Sequence, residues 1–417
     1  MKIIASILLM MIVTFASAQT TPAERGANLS PAAQSMAEAT KAIGEKPAQY
    51  AGYNLLASAL IRRAQETGDV SFYYQAESII GKSLELAPNN FETEKIQVSV
   101  LLGKHEYPSA LDAAKSLNKK TPDDVMVYGF LTDANVALGN YPEAEDAAQW
   151  MLNIRPGNLP ALIRAANLRE LYGDEEGSRE LLDLAYQSIP PSEPADRAAL
   201  LTTMGDLQLT SGAREGDEKL FQEALTSLPS YPAAMAGLAE VRIQQKRYDE
   251  AIDLLRQSYR VSAQAGQLYR LAEALQLAGR DQEANKLFAE FETQALVESD
   301  RKDNANRQLV FFYADHAHQP AKALKMAQQE RAWRHDVYTL DAYAWALHVN
   351  GRDGEAHKQI EAALAVGIRD PQLFRHAEEI ARTSGDLAAA GRYKQPAAAV
   401  KTSDSQRSTE LPRSQPQ

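Results

Sequence analysis

Histidine and carboxylate at short spacing are the residues of this chain that could do chemistry. Six of its seven histidines, His316, His318, His335, His348, His357 and His376, fall between residues 316 and 376. The run Asp315-His316-Ala317-His318 sets one carboxylate and two imidazoles side by side. In an extended turn, alternate side chains point the same way, and the group would suit zinc or nickel. On a continuous helix the two rings diverge and read as ordinary surface histidines. Asp315, His316 and His318 are the metal-ligand candidates, set against that plainer reading. The chain has no G-x-S-x-G elbow, no H-E-x-x-H, no Walker loop and no G-x-G-x-x-G after a strand. It has no cysteine, so thiolate nucleophiles and thiolate metal sites are excluded. The expectation is a protein that is not an enzyme and needs no cofactor.

The elements that would position these residues repeat. Residues 128–156 read YGFLTDANVALGNYPEAEDAAQWMLNIRP, two helical patterns around a turn at Gly139-Asn140-Tyr141-Pro142. In the second, Ala144, Ala147, Ala148, Met151 and Ile154 form one apolar stripe. Neither helix can bury its apolar face alone, so the pair needs neighbours. They follow in phase. Small residues stand at Ala76, Ala110, Ala144 and Ser178, 34 residues apart, then Asp217 occupies the position before Ala251, Ala284 and Ala356 continue the series. Pro88, Pro122, Pro156, Pro190 and Pro229 lie twelve residues after such positions and would stop the second helix. Hairpin turns are expected at Gly68, Gly103, Gly139, Gly173, Gly212, Lys246, Gly279, Gln319-Pro320, Gly351 and Gly385, where glycine accepts the positive φ that ends the first helix.

This pattern resembles the tetratricopeptide repeat, a 34-residue helix–turn–helix unit, over residues 50–395. The resemblance implies an all-α fold: an α-solenoid, a right-handed superhelix of about nine such repeats, with residues 31–395 as one superhelix. A bend is placed near 189–195, where Ile189-Pro190-Pro191-Ser192-Glu193-Pro194 is stiff, and the spacing lengthens again over 292–306, ahead of a C-terminal sub-block from about 304 to 395. Within that block Asp341-Ala-Tyr-Ala-Trp-Ala-Leu is similar to the last units of secreted bacterial members and implies no particular ligand. The family's aromatic at the fourth position is present as Tyr128 and replaced by Leu162, Leu201 and Met235.

In the family the first helix of each hairpin lines the concave face. The ninth position of the unit then gives Asp133, Asn167, Asp206, Glu240 and Glu273, an acidic wall that would draw in a basic segment. Tyr269 and Tyr128 stand near for stacking or cation–π contact, while Arg164 and Arg270 dilute the acidity. The family's carboxylate clamp is not reproduced, since Lys95 is followed by Ser99 and the next unit offers Gly129 and Asp133. Protein or peptide partners are therefore expected in this groove; the alternative is a binding protein for a metal ion or a cell-wall glycan.

Composition narrows the setting. Formal net charge is −11 over 417 residues, which argues against a nucleic-acid partner. Lys2, the apolar run IIASILLMMIVTFA and Ala16-Ser17-Ala18 form a secretory signal over residues 1–18, too short to span a bilayer. Export to the periplasm or beyond is expected, with no stable membrane insertion after cleavage. Residues 19–30 read as a flexible leader, with Ser30 and Pro31 starting a helix, and residues 396–417 as a disordered tail.

Overall fold

In the computed structural model the described residues are 30–211 and 216–394. The expected signal peptide, the leader as far as residue 29, the turn at Gly212 and the tail 396–417 lie outside them. The described residues form twenty-one α-helices and no strand. A lone α1 (Pro31–Glu45) precedes ten hairpins. The first four are α2 (Tyr50–Thr67) with α3 (Ser71–Leu86), α4 (Phe91–Gly103) with α5 (Tyr107–Lys120), α6 (Val125–Ala137) with α7 (Tyr141–Ile154), and α8 (Leu159–Leu171) with α9 (Glu175–Ser188). Next come α10 (Pro194–Ser211) with α11 (Asp217–Ser227), α12 (Pro232–Gln244) with α13 (Tyr248–Ser262), and α14 (Ala265–Leu277) with α15 (Asp281–Glu298). The last three are α16 (Asn306–Phe311) with α17 (Pro320–Arg331), α18 (Val337–His348) with α19 (Asp353–Leu364), and α20 (Pro371–Thr383) with α21 (Leu387–Tyr393).

Local chemistry sets these ends. Asn90, Asp124 and Asn158 cap α4, α6 and α8 by accepting from backbone N–H groups inside each first turn, and Asp336 and Asp370 do so for α18 and α20. Each such cap is worth ~1 kcal/mol. The second helices end two residues before Pro88, Pro122, Pro156, Pro190 and Pro229, as expected of a residue with no N–H to give. Ala76, Ala110, Ala144, Ser178, Ala251, Ala284 and Ala356 are at most 1 % exposed, so the helices of a hairpin cross closely there.

Three expectations are corrected. Gly103 is the last residue of α4 and serves packing, because a Cβ there would overlap the Tyr73 ring; the turn's positive φ falls on His105 (+57°). At Gln319-Pro320 the positive φ falls one residue earlier, on His318 (+51°). Asp217 begins α11 rather than sitting inside it. One turn on, Phe221 is fully buried, and Gly205 and Gly237 on α10 and α12 make room for its ring. The extra length at 292–306 is in part helix, since α15 runs to Glu298.

The stack winds far enough to touch itself. Gly68 meets Ser262, Gly139 meets His335 and Gly173 meets Gly367. In each case the turn of one hairpin meets the connection between the units five and six hairpins further on. His335 N–H donates to Ala137 O at 3.1 Å, and Val337 N–H donates to the Tyr141 hydroxyl at 3.0 Å. Tyr74 donates to Asp303 at 3.2 Å, and Arg334 donates to His105 Nδ1 at 2.9 Å. Burial, and next the Arg334 charge, lower His105 to about 4, which keeps its ring neutral and Nδ1 an acceptor. Successive superhelical turns are thus clasped together around a lumen.

Candidate functional site

The even-numbered helices line the lumen. They pack on one another from unit to unit, α2 on α4, α4 on α6, α6 on α8 and α10 on α12, with α16, α18 and α20 continuing the row. In a curved stack the more closely packed row is the inner one. One position on each of these helices projects inward.

The inward row begins with Gln65 and Ser99, which line a 610 Å³ cavity together with Asp133. Asn167, Asp206 and Glu240 follow, all exposed, and then Glu273, half-buried. The row does not stop there. Steps of 34 residues from Glu273 lead to Arg307, Asp341 and Arg375, and these four residues line a second cavity of 440 Å³. Reading the sequence only as far as Glu273 missed the last three positions, although the same spacing marks them.

The expected wall residues have different fates. Asp133 is held by Arg164 from the next unit, whose Nε donates at 2.8 Å and whose Nη2 donates to the other oxygen. Its charge is largely spent. Asn167, Asp206 and Glu240 face the lumen with no ion pair within 4.0 Å among the described residues. Tyr269 is corrected from a stacking surface to a core residue. It is 6 % exposed, with its ring against Phe288, Phe291 and His316. Tyr128 stacks on Trp150 of α7, ring centroids 6.0 Å apart.

Electrostatics distinguish two stretches of the lumen. Asp206 is exposed on the inward row. Loss of bulk water raises its carboxyl to about 6, against the pull of Arg270. Glu170, on the same wall, is raised to about 7 by desolvation first, then by Asp206, Asp370 and Glu175. Glu240 is raised by desolvation, opposed first by Arg270 on the next unit and more weakly by Arg375. The acidic stretch on α8–α12 is thus followed along the row by α14–α20, which carries Arg270, Arg307 and Arg375.

Four of the six histidines lie beside separate carboxylates. Asp315 accepts from Trp345 Nε1 at 2.8 Å, His316 lies 3.8 Å from Glu273, and His318 is exposed at a turn. His348 pairs with Asp353, His357 with Glu361, and His376 with the buried Asp341 at 2.7 Å. Asp315 and His316 lie in a single π-helical turn, Phe312–His316, rather than in an extended segment. Among the described residues no three His, Asp or Glu side chains stand where they could hold a metal ion. No helix among the described residues is long and apolar enough to cross a membrane.

Comparison with known proteins agrees with this architecture. Residues 218–260 match the tetratricopeptide-repeat family model. A curated relative, cellulose synthase operon protein C of Xanthomonas axonopodis pv. citri, is 30 % identical over 115 residues, 28 % of this chain. The chain spans only 8 % of that relative's length. Among solved structures, the human IFIT1 dimer with PPP-AAAA superposes with a TM-score of 0.50 at 12 % identity, covering 87 % of this chain and 94 % of that one. PilW, described as a widely conserved type IV pilus biogenesis factor, matches at a TM-score of 0.42 and 16 % identity, over 50 % of this chain and 94 % of its own.

Proposed function

We propose that this chain, a tetratricopeptide-repeat α-solenoid, is an exported scaffold that binds a protein or peptide partner along its lumen and catalyses nothing itself. The observation that carries the reading is the inward row: one position per unit, polar or charged throughout, running through the lumen the clasped turns enclose. Such a surface is formed before any partner arrives, so binding loses little ordering entropy on the scaffold side. Asp206, Glu240 and Asn167 lie where an arginine or lysine side chain of the partner would meet them, and a basic segment is the partner expected there. Export rests on the N-terminal pattern of Lys2, apolar run and Ala16-Ser17-Ala18, and the periplasm is the compartment that pattern fits best.

The test is capture of partners from a periplasmic extract by the wild-type chain and by Asp206→Lys combined with Glu240→Lys. The reading expects captured proteins to be lost in the double variant, and wild-type capture to weaken as salt rises. Equal capture by both, with no salt dependence, would remove the acidic wall from the explanation.

A further inference from the structure

The second cavity contains charges of both signs in unequal states. Each of its carboxylates already has a partner. Asp315 accepts from Trp345, Asp341 from His376, and Asp370 from the N–H groups of Gln372 and Leu373; Glu273 lies beside His316. Its three arginines have none. Arg270, Arg307 and Arg375 make no hydrogen bond and no ion pair within 4.0 Å among the described residues. Arg307 lies over the Tyr338 ring, 5.4 Å from its centroid. Arg270 and Arg375 are exposed and Arg307 is half-buried, so their donors are open to a ligand. Here carboxylates are close and are bonded elsewhere.

The surroundings make this a built site. Asp341 and His376 are both buried, and Trp345 stacks on His376 with ring centroids 4.3 Å apart. That stack fixes the floor. A volume of 440 Å³ takes one or two side chains or a small ligand. Acids and bases in it nearly balance in number, so long-range attraction of any anion is weak. What the cavity offers is short-range: planar donors for an oxyanion that reaches in.

We infer that the Arg270–Arg307–Arg375 cavity receives carboxylate side chains of the segment bound in the lumen, so that the segment is charge-polarised, basic toward α10–α12 and acidic toward α14–α20. This rests on the proposed binding of a peptide in the lumen and adds the chemistry and direction of that peptide. The order of charges along the row supports it, for Arg270 on α14 follows Asp206 on α10 and Glu240 on α12, and it makes no ion pair with either within 4.0 Å. A chain carrying both signs would pair with both stretches of the row.

The probes are two synthetic peptides, Lys-Lys-Lys-Gly-Glu-Glu-Glu and Lys-Lys-Lys-Gly-Gln-Gln-Gln, titrated at low salt into the full chain and into Arg307→Gln with Arg375→Gln. Neither arginine makes a hydrogen bond or ion pair among the described residues, so circular dichroism should show the variant folded; Arg375→Gln alone, which leaves the Arg307–Tyr338 contact in place, serves as a milder second variant. The wild type should prefer the glutamate peptide by about tenfold or more, the change expected from one charge-assisted contact. In the double variant that preference should vanish while glutamine-peptide binding stays as it was. Equal binding of the two peptides by the wild type, or a preference that survives in the double variant, overturns the proposal and leaves the lumen reading standing. Binding of neither peptide overturns both.

Discussion

Replacing Gly139 by alanine should part the two superhelical turns locally, and Gly279→Ala should not. Both glycines end a first helix at φ +73°, so both substitutions carry the same left-handed backbone cost of ~1 kcal/mol. Their surroundings differ. A Cβ on Gly279 meets nothing within 4 Å, whereas a Cβ on Gly139 would lie 2.7 Å from the His335 carbonyl oxygen. Backbone oxygen cannot swing aside as a flexible side chain does, so relief requires the turns to separate. Separation breaks His335 N–H to Ala137 O and Val337 N–H to Tyr141. At about 1 kcal/mol each, the clasp loses ~2 kcal/mol beyond the shared backbone term. Amide hydrogen exchange at His335 and Val337 reads this directly, and their protection should fall ~30-fold in Gly139→Ala. Global melting is a poorer measure, since a repeat array does not unfold in one step. Equal protection at those two amides in both variants would refute the clasp.

Further predictions follow from the lumen and the core. Glu170 and Asp206 are raised to about 7 and about 6, above the ordinary carboxylate range near 4 that they regain on unfolding. The folded state therefore holds these protons more tightly. The contribution is fully present below about pH 4 and is lost as pH rises through 6 to 7. Urea titrations across that window should show Glu170→Gln with Asp206→Asn flattening the decline. Binding of the trilysine peptides should run the other way, weaker at pH 5 than at pH 8, because Asp206 loses its charge below about 6. Thr93→Val should cost ~1–2 kcal/mol, seen as a lower urea midpoint for the N-terminal units, since Thr93 donates to the buried Asn54 and lies against Ser83. Arg62→Ala removes a contact between α2 and the start of α10, to Glu193 and Asp196, but all three are partly exposed, so the loss should stay below ~1 kcal/mol.

Whatever depends on one unit was legible in the residues. Turn glycines, stop prolines and small crossing residues act through local sterics, and even Lys246, with φ +60°, stands at a turn the spacing marks. Where His105 and His318 took the positive φ, phase gave the turn but not the residue. The clasp was not legible. Its side-chain contacts join residues 196 to 229 positions apart, and they depend on superhelical pitch, which sums small rotations over several units. Nothing local at Tyr141 or Gly367 announces a partner there. The wall was half legible. Its register gave Asp206 and Glu240, and the same spacing continued would have given Arg307 and Arg375. That Arg164 spends the charge of Asp133, and that aromatic packing buries Tyr269, needed side-chain placement. The histidine cluster was a property of composition, and the fold distributes it among separate carboxylates.

Site-specific photo-crosslinking tests lumen binding most directly. A photoreactive side chain would be placed at Asn167 on the inward row and, as a control, at Leu184, which is 53 % exposed on α9 of the outer row. Lumen binding predicts a crosslinked partner from Asn167 and none from Leu184. Crosslinks from Leu184 with none from Asn167 would contradict it and move recognition to the outer face.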